Sequence, residues 1–575
     1  MLRVTKKLLY ILNKKQKVEM VGLLILMLIG GAVESLSVSL VFPLVSAVTE
    51  SKNWDSNRFA KVITSVFNVE NKIQYISILL VLLIFIFLFK NIYLLFEYYV
   101  QFSFIAKSHL EMQKKLFHKF LMKPYLYYLS SSTAEILRIV QVDTSHTFTL
   151  LTMILTFYTE AIVGAILLIT IFVISPQITG ILLVFLLIEV LIIAKIVKPR
   201  MKRMGDRQRS ESSIANKWFL QAINGIKSVK VEHKESFFEG NYNDHLKGVI
   251  NADKKYQIIS NIPRLLIEAV TVSGVLLYML IAVKLGVEIE GLIPQLSAFV
   301  LASMRLLPSA NRISAMINQV PFSEGGLDNV INTLTSEAVN SDSDEQASTT
   351  DCKKILSIEL DNISFKYPNN DNLLLEKASL KIGEGESIGI VGSSGAGKTT
   401  TIDIILGLLA PLEGKVLIND IQLEDCYYSW LKRISYIPQQ IFLLDGTIRD
   451  NVAFGLNPSE IDDSQVNRAL KEAQLEDFVN TLPKGIYTEI GEAGVRLSGG
   501  QRQRLGIARA LYTNPDVIFL DEATSALDNE TEAAIMESID SLKGEKIMII
   551  IAHRLTTISN CDTIYRVVDK KIVKE

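Results

Sequence analysis

Residues 392–400 read GSSGAGKTT, which fits the pattern Gly-x-x-x-x-Gly-Lys-Ser/Thr. The apolar run ESIGIV before this segment predicts a strand, and TTIDIILGLL at its end predicts a helix. Where a strand, a glycine-rich loop and a helix follow one another, backbone N–H groups and the helix dipole bind phosphate. We therefore predict a nucleotide site in which Lys398 contacts the β and γ phosphates and Thr399 ligates Mg²⁺.

A second strand-like segment ends in two acids. Residues 517–528 read VIFLDEATSALD, and the four apolar residues at the start predict a buried strand. Ligands of open α/β sheets lie at the carboxyl ends of the strands. We predict that Asp521 holds Mg²⁺ through water and that Glu522 polarises the attacking water as general base. The alternative, two solvated surface acids, fits a buried strand poorly.

The two acids belong to a region with alternating patterns. From Ile355 onward, strand-like runs alternate with helical ones, which predicts an α/β domain over residues 355–575. The preceding residues 322–354 contain the polar run NSDSDEQASTTD and are predicted to form a flexible linker.

The first three hundred residues have a different character. Crossing a bilayer takes about 20 mostly apolar residues. Residues 1–321 are therefore predicted to form an all-α transmembrane domain of six helices. The six apolar runs are 20–48, 74–100, 147–174, 176–197, 264–285 and 292–320.

The charges of the connections predict the orientation. Lys and Arg are frequent in the N-terminal segment and in the connections 101–146 and 198–260, whereas 175–177 and 284–291 hold almost none. By the positive-inside rule, both termini and the α/β domain are cytoplasmic in a multi-pass protein. The formal net charge of −2 gives no case for a nucleic-acid partner. Three cysteines without metal-ligand spacing indicate neither a disulfide framework nor a zinc site.

Three connections show helical spacing of apolar residues. The two cytoplasmic connections are long, so we expect the transmembrane helices to continue beyond the membrane. The outer segment 56–68 has apolar residues at helical spacing after a possible N-cap at Ser56. It fits a short amphipathic helix on the outer membrane surface or an ordinary packed loop helix equally well.

Residues 497–511 read LSGGQRQRLGIARAL and resemble the signature segment of the ATP-binding-cassette (ABC) ATPases. The segments GSSGAGKTT, YIPQQ, LDEATSALD and IIAHR occur in the order typical of that family. Six crossings followed by one nucleotide-binding domain resemble a half-size ABC exporter. The resemblance implies the type IV exporter fold, an ATPase coupled to transport, ATP and Mg²⁺ as ligands, and a homodimer.

The same resemblance implies roles for single residues of the ATPase site. Tyr367 in SFKYP is similar to the aromatic residue that stacks on adenine. Gln439 in YIPQQ is similar to the glutamine that senses Mg²⁺, and His553 in IIAHR to the histidine that contacts the γ-phosphate beside Glu522. The predicted catalytic residues are Glu522, His553 and Gln439, and the predicted metal ligands are Thr399, Gln439 and Asp521.

Other residues are implied to act across a dimer. Ser498 and Gly500 would close on the γ-phosphate bound by the second subunit, because Ser498 begins a helix whose N-terminus faces the anion. Asp528 would lie in the loop that crosses between subunits. The predicted nucleotide-binding residues are Tyr367, Gly392, Ser393, Ser394, Gly395, Ala396, Gly397, Lys398, Thr399, Thr400, Leu497, Ser498, Gly499, Gly500, Gln501 and Asp528.

Two arginines in the last apolar run bear on the substrate. Arg305 and Arg312 are seven residues apart, so they share one helix face, and Pro308 between them permits a kink. A homodimer would present two such pairs, and planar guanidiniums suit phosphate. In the alternative interpretation the Arg312 side chain only extends its guanidinium to the membrane–water interface. Arg305 then pairs with a glutamate such as Glu34 or Glu268.

The membrane segments also resemble a family. NIPRLLIEAV, RLLPSANRI and the outer helix are similar to the PglK-type bacterial lipid-linked oligosaccharide flippases. This resemblance implies that Arg264, Arg305 and Arg312 engage the pyrophosphate of a lipid-linked glycan, which is moved to the outer leaflet of the cytoplasmic (inner) membrane. Membrane lipids are then partners. The alternative is an exporter of another amphiphile, such as a lipid A-like lipid, a hydrophobic drug or a peptide. A non-transporting ATPase fits the combination of intact motifs and six crossings poorly.

Glutamates of the membrane segments also have a structural interpretation. Glu34, Glu160 and Glu189 are expected to pair with a Lys or Arg of a neighbouring helix.

Overall fold

The structure is a computed structural model of the 575-residue chain. It separates into two compact units, Met1–Leu121 with Ser132–Glu337, and Met122–Ser131 with Ala338–Glu575. We call them the helical unit and the α/β unit. The residues that the structure describes are 2–49, 64–69, 71–174, 195, 198–284, 309–310, 312–313, 315–317, 319–320, 324–336, 354–368, 370–491, 494–522, 532–533, 536, 542–551, 558 and 560–575.

The helical unit contains two very long helices. Lys72–Leu121 and Glu235–Lys284 each have 50 residues. At about 1.5 Å per residue each is roughly 75 Å long, more than twice the apolar thickness of a bilayer. This length confirms the prediction that the cytoplasmic connections continue the helices of the apolar runs. The unit also contains the helices Leu2–Ile11, Lys14–Ser39, Val41–Thr49, Thr133–Leu137, Thr144–Ile174, Lys198–Asn224 and Ile226–Val231, with a π-helical turn at Arg138–Asp143. Residues 324–335 form a further helix.

Among the described residues, three segments are long and apolar enough to span a membrane. They are Lys14–Glu34, Lys72–Leu121 and Glu135–Ile166, and they overlap the first three predicted crossings. The first predicted run is not one helix, because a turn at Leu40 separates two helices. Pro43 explains the break, since its ring clashes with the carbonyl four residues earlier, at the end of the first helix.

The remaining predicted crossings are described only in part. The run 264–285 lies in the helix that ends at Lys284. Most of 176–197 and 292–320 lies outside the described residues. Of the predicted outer helix 56–68, only the last residues are described, and 64–67 are helical.

The predicted linker 322–354 is wrong in its first part, because residues 324–335 form a helix. Leu327 and Val330 are completely buried there, and Leu334 packs against the same hydrophobic cluster. Their spacing of three and four residues forms one apolar helix face. The polar composition of the segment concealed this periodicity.

Polar contacts also tie this helix to the helical unit. The Lys7 ammonium pairs with Glu324 at 2.7 Å and Asp328 at 2.6 Å. Asn329 donates to the Asp143 carboxylate at 2.9 Å. The segment before residue 337 is therefore part of the helical unit rather than a tether.

The α/β unit contains two sheets, which confirms the predicted α/β fold. The strands are β1 Ser357–Phe365, β2 Leu375–Gly383, β3 Ser387–Val391, β4 Glu413–Ile418, β5 Ile421–Gln422, β6 Ile434–Ile437, β7 Val517–Asp521, β8 Ile547–Ile551, β9 Thr563–Val568 and β10 Lys571–Lys574. The antiparallel sheet has the order β2-β1-β4-β5, and the six-stranded sheet has the order β10-β9-β3-β8-β7-β6. In the second sheet β9, β3, β8, β7 and β6 are parallel.

The central strands explain where the polar residues lie. Every residue of β3, β7 and β8 is buried, as expected for parallel strands covered on both faces. The helices of the unit are Tyr125–Ser130, Lys398–Ile405, Leu423–Leu431, Ile448–Val452, Asp463–Glu472, Glu476–Asn480 and Gly499–Tyr512, with a 3₁₀ turn at Gly485–Tyr487. Because β3, β7 and β8 are buried along their whole length, the ligand-binding side chains of this sheet are expected at the strand ends.

Asn451 is the centre of a buried polar network in this unit. The residue is completely buried. Its side-chain oxygen accepts from the Leu444 N–H, and its side-chain NH₂ donates to the carbonyls of Leu444 and Thr447. The Arg509 guanidinium donates to the Asn451 side chain at 3.1 Å and to its carbonyl at 2.8 Å. Burial lowers the pKa of Arg509 to about 10. The network fixes the helix Gly499–Tyr512 to the loop before Ile448.

We predict that Asn451→Ala destabilises the α/β unit by about 2–3 kcal/mol, because buried backbone groups and Arg509 lose their partner. The thermal transition of purified protein should fall by roughly 4–10 °C in differential scanning calorimetry. Asn457→Ala is the matched control, since Asn457 is exposed and bonds only Glu460. Equal melting shifts in both variants would contradict the network.

Candidate functional site

The loop after β3 has a conformation that requires glycine. Gly395 and Gly397 have φ values of +79° and +107°, in the left-handed region. A Cβ on Gly397 would also lie 3.3 Å from Leu374. Gly397 is the N-cap of the helix Lys398–Ile405 and forms no side-chain cap bond. A glycine-rich loop that leads into a helix N-terminus is the usual arrangement for binding an anion.

Lys398 supplies the charge of this loop. Its side chain is buried, and the ammonium donates to the carbonyls of Gly392 at 2.9 Å and Ser393 at 3.1 Å. Ser393, Ser394 and Gly395 are exposed, so the outer side of the loop is open to a ligand. The ammonium is thus held against the loop whose N–H groups would bind phosphate.

Asp521 ends β7 beside the loop. It is 5% exposed and accepts hydrogen bonds from the hydroxyls of Tyr436, at 3.3 Å, and Thr399. Burial raises the pKa of Asp521, while the bond from Tyr436 opposes the rise. The pair of a hydroxyl and a carboxylate oxygen suits Mg²⁺, which usually takes one or two protein ligands and completes its shell with phosphate and water. The described residues hold no cluster of three His, Cys, Asp or Glu for a metal.

Glu522 follows in a strained conformation. Its φ is +51°, and its N–H donates to the Ile551 carbonyl at 2.9 Å. The Gln439 amide donates to the Glu522 carboxylate at 2.6 Å. The structure therefore brings together Gln439 and Glu522, which the sequence separates by 83 residues.

Tyr367 lies next to the helix that follows the loop. Its hydroxyl is 3.0 Å from the Thr400 hydroxyl, and its ring packs edge-on against Phe365 at 5.1 Å between centroids. Thr400 is buried, so this bond occupies a side chain that was predicted to bind nucleotide. The ring of Tyr367 is half-buried beside the phosphate loop.

The signature segment forms a helix N-terminus. Ser498 is the N-cap of Gly499–Tyr512, and it forms a capping box with Gln501 through bonds of 2.8 and 3.3 Å. Leu497 is buried, whereas Ser498 is exposed and Gly499 and Gly500 are half-buried. The Gln501 side chain thus caps the helix. The exposed N-terminus presents a second positive dipole end.

Several predicted site residues are not placed by the structure. Asp528, His553 and Arg305 lie outside the described residues. Arg264 lies within the helix Glu235–Lys284, and only its backbone is described.

Arg312 forms an ion pair within the helical unit. Its Nε lies 2.7 Å from Glu160 Oε1, and the two side chains are 44% and 7% exposed. The predicted pairing of Glu160 with a basic residue is confirmed. The bond uses Nε, and the guanidinium is partly exposed.

Two residues of the site were missed from the sequence. Tyr436 donates to Asp521, and Asp403 is 8% exposed on the helix Lys398–Ile405. Burial and the charge of Asp521 raise the pKa of Asp403 to about 6. A signal existed for Asp403, since it is the single acid in the apolar helix TTIDIILGLL.

Comparisons with known proteins agree with this geometry. Residues 375–525 match the family described as ABC transporter, and residues 20–307, half of the chain, match the ABC transporter transmembrane region. The chain is similar to a solved bacterial Atm1-family ABC exporter with ATP bound, at 20% identity and a TM-score of 0.76, over 97% of this chain and 94% of that one. At this identity the likeness concerns the fold, and it confirms the predicted exporter architecture.

Curated relatives include a multidrug transporter and two lipid A-core flippases. The chain is 33% identical over 408 residues to the ABC multidrug transporter MDR5 of Trichophyton rubrum, covering 67% of this chain and 30% of the relative. It is 43% identical over 208 residues to the ATP-dependent lipid A-core flippase of Bordetella avium, covering 36% of this chain and 35% of the relative. It is 29% identical over 460 residues to the ATP-dependent lipid A-core flippase of Cupriavidus metallidurans, covering 79% of this chain and 76% of the relative. The first two alignments thus span about a third of those relatives.

We predict that Lys398→Ala lowers the affinity for ATP about tenfold or more, because a charge-assisted contact to phosphate is lost. Equilibrium binding of a fluorescent ATP analogue to the purified protein measures the change. Lys377→Ala, on the exposed side of β2, is the control and should bind normally. Equal affinity of the Lys398 variant and the control would refute the phosphate contact.

Proposed function

Because the chain belongs to the ABC transporter family, we propose that it is an ATPase that drives export of an amphiphile across a membrane. One observation carries the proposal. At the carboxyl edge of the parallel sheet Thr399 bonds Asp521 and Gln439 bonds Glu522, while Lys398 is held against the neighbouring loop by its bond to Gly392. The same chain contains helices that are long and apolar enough to cross a membrane.

Each residue has a defined task in ATP hydrolysis. The loop N–H groups and Lys398 bind the β and γ phosphates, and Tyr367 stacks on adenine. Thr399 and Asp521 hold Mg²⁺, which neutralises charge on the phosphate oxygens when bound. Glu522 accepts a proton from the attacking water, and Gln439 fixes the carboxylate through its 2.6 Å bond.

The signature helix acts on a second subunit. Its exposed N-terminus at Ser498 binds the γ-phosphate held by the partner's loop. ATP therefore binds the closed dimer more tightly than the open one, and this difference in affinity draws the subunits together. Hydrolysis removes the γ-phosphate and lets them separate. Asp528 and His553 are assigned to the same composite site.

Two short segments transmit this motion. Residues 123–127 and 224–230 lie at turns between long helices, and the first of them belongs to the α/β unit. Closure of the α/β units thereby moves the helices that continue into the membrane.

We predict that Glu522→Gln retains ATP binding but reduces turnover at least about a hundredfold, because the general base is lost. Phosphate release and ATP-analogue binding by the purified dimer measure the two effects. Glu545→Gln, a charge-matched change near β8, serves as control. An unchanged rate in the Glu522 variant would exclude the general-base role.

For the substrate, we propose a lipid-pyrophosphate-linked oligosaccharide that is moved from the inner to the outer leaflet of a bacterial cytoplasmic membrane. The partly exposed guanidinium of Arg312 supports an anionic head group. Arg305 and Arg264 supply further positive charge on the basis of the sequence pattern. In the homodimer each arginine occurs twice around a central path.

A second candidate is a lipid A-like lipid. The similarity to two lipid A-core flippases favours it. Both candidates are lipids with phosphate groups, so they share the requirement for an arginine-lined path.

We predict that Arg305→Ala with Arg312→Ala abolishes lipid translocation while basal ATPase remains within about twofold, because these residues contact the lipid phosphate rather than ATP. Translocation of fluorescent lipid-pyrophosphate sugar and of labelled lipid A in proteoliposomes distinguishes the two substrates.

Glu160→Gln separates phosphate binding from a structural role of Arg312. This variant removes the charge that pairs with Arg312 but keeps the guanidinium. Translocation should persist in Glu160→Gln. If it is lost as completely as in the double arginine variant, Arg312 serves helix packing and the phosphate contact is refuted.

A further inference from the structure

A cavity of about 140 Å³ lies in the helical unit, between the helices Lys198–Asn224 and Glu235–Lys284. Gln319, at the end of the last predicted crossing, also lines it. Gly205 and Ala252 form part of the wall and are buried. Because these two residues have the smallest side chains, the two helices leave a space between them.

The size of the cavity suits one six-membered ring. A closed apolar cavity of about 150 Å³ holds one benzene molecule. The cavity between the two helices is partly open. A ring bound there can therefore carry substituents, or be joined to further rings, that extend outside.

The wall carries polar side chains of complementary types. Asp253 supplies a carboxylate acceptor and Tyr256 a phenol. Gln208 and Gln319 supply carboxamides, which both donate and accept. Burial raises the pKa of Tyr256, and the charge of Asp253 adds to the rise, so the phenol keeps its proton at neutral pH.

One contact within the wall is weak. The Gln208 Nε2 group donates to Asp253 Oδ1 at 3.4 Å, beyond the usual range for such a bond. A hydroxyl group of a ligand can therefore replace this contact at little cost.

The polar groups of the wall favour a ligand with several hydroxyl groups. A phosphate would be repelled by the Asp253 carboxylate. The described residues hold no cluster of three His, Cys, Asp or Glu that would bind a metal ion. An amine would pair with Asp253 but would offer no acceptor to the carboxamide N–H groups. A hydroxyl both donates and accepts, so a sugar ring matches the carboxylate, the phenol and the carboxamides together.

Gln319 connects the cavity to the arginines that we assign to the substrate phosphate. It follows Arg312 by seven residues, and the described residues from 312 to 320 are helical. Seven residues are two helical turns, so Gln319 lies on the helix face of Arg312 and, by the same spacing, of Arg305. The separation along the helix axis is roughly 10 Å. The first sugars of a glycan bonded to a pyrophosphate at Arg312 can reach this distance toward the predicted cytoplasmic side.

We propose that the cavity between the helices Lys198–Asn224 and Glu235–Lys284 binds one sugar ring of the substrate's glycan while the lipid phosphate is at Arg312. It is then a cytoplasmic glycan site, occupied before the lipid is moved. This inference deepens the proposed lipid-pyrophosphate-linked substrate and rests on it. The cavity gives the transporter a means to distinguish a glycosylated lipid from the bare lipid pyrophosphate.

Binding of two probes to the full-length protein tests the proposal. One probe is a fluorescent short-chain prenyl pyrophosphate that carries a single hexose, with glucose, galactose and N-acetylglucosamine used in turn. The other is the same prenyl pyrophosphate without sugar. In fluorescence polarisation, at least one sugar-bearing probe should bind about tenfold more tightly than the bare probe, because it adds hydrogen bonds in the cavity. Equal affinities for all probes would overturn the inference and leave the lipid-pyrophosphate substrate intact.

Cavity variants locate the preference for sugar. Gln208→Leu with Gln319→Leu removes both carboxamides at nearly constant side-chain size and should bind all probes as weakly as the bare one. Gln257→Leu is the matched control, since Gln257 is exposed on the same helix as Asp253 and outside the cavity wall, and it should retain the preference. Asp253→Asn should reduce the preference about threefold. A full preference in the folded double variant, or in Asp253→Asn if the double variant does not fold, would overturn the inference.

Two further measurements separate the phosphate from the sugar. Arg312→Ala should weaken the binding of both probes by the same factor, because it acts on the phosphate that they share. If the wild-type protein binds neither probe, the proposed lipid-pyrophosphate substrate is refuted, and the glycan site with it. If free hexose changes the affinity for the bare probe while the sugar-bearing probe has no advantage, the cavity binds a soluble sugar and its assignment to the substrate's glycan is overturned.

Discussion

The burial of the central parallel strands is the constraint on which the site depends. All residues of β3, β7 and β8 are buried, so polar groups can meet a ligand only at the strand ends. β3 and β7 both pair with β8 in parallel, and their carboxyl ends therefore lie at one edge. This arrangement brings Lys398 and Glu522 together across more than a hundred residues of sequence.

At this edge the charges are already compensated by the protein. Lys398 bonds carbonyls of its own loop, and Gln439 bonds Glu522. Tyr436 and Thr399 bond the buried Asp521. Such contacts offset the cost of removing charges from water.

The ion pair of the helical unit has a comparable double effect. Glu160 is buried in a helix that is apolar enough to cross a membrane, and pairing with Arg312 lowers the cost of its charge. The same pairing neutralises part of the positive charge that a lipid phosphate would meet. A phosphate-binding path therefore needs additional cations, and Arg305 and Arg264 are the residues to which we assign this role.

The sequence by itself determined the phosphate loop, the acids after β7, the α/β fold and the very long helices. Each rests on neighbouring residues or on a regular spacing, which a single segment displays. Only the tertiary structure decided that residues 324–335 pack as a helix against the helical unit, that Glu160 is the partner of Arg312 and that Tyr436 bonds Asp521. These contacts join residues far apart in the chain, and their partners are chosen by strand order and helix packing, for which no local pattern exists.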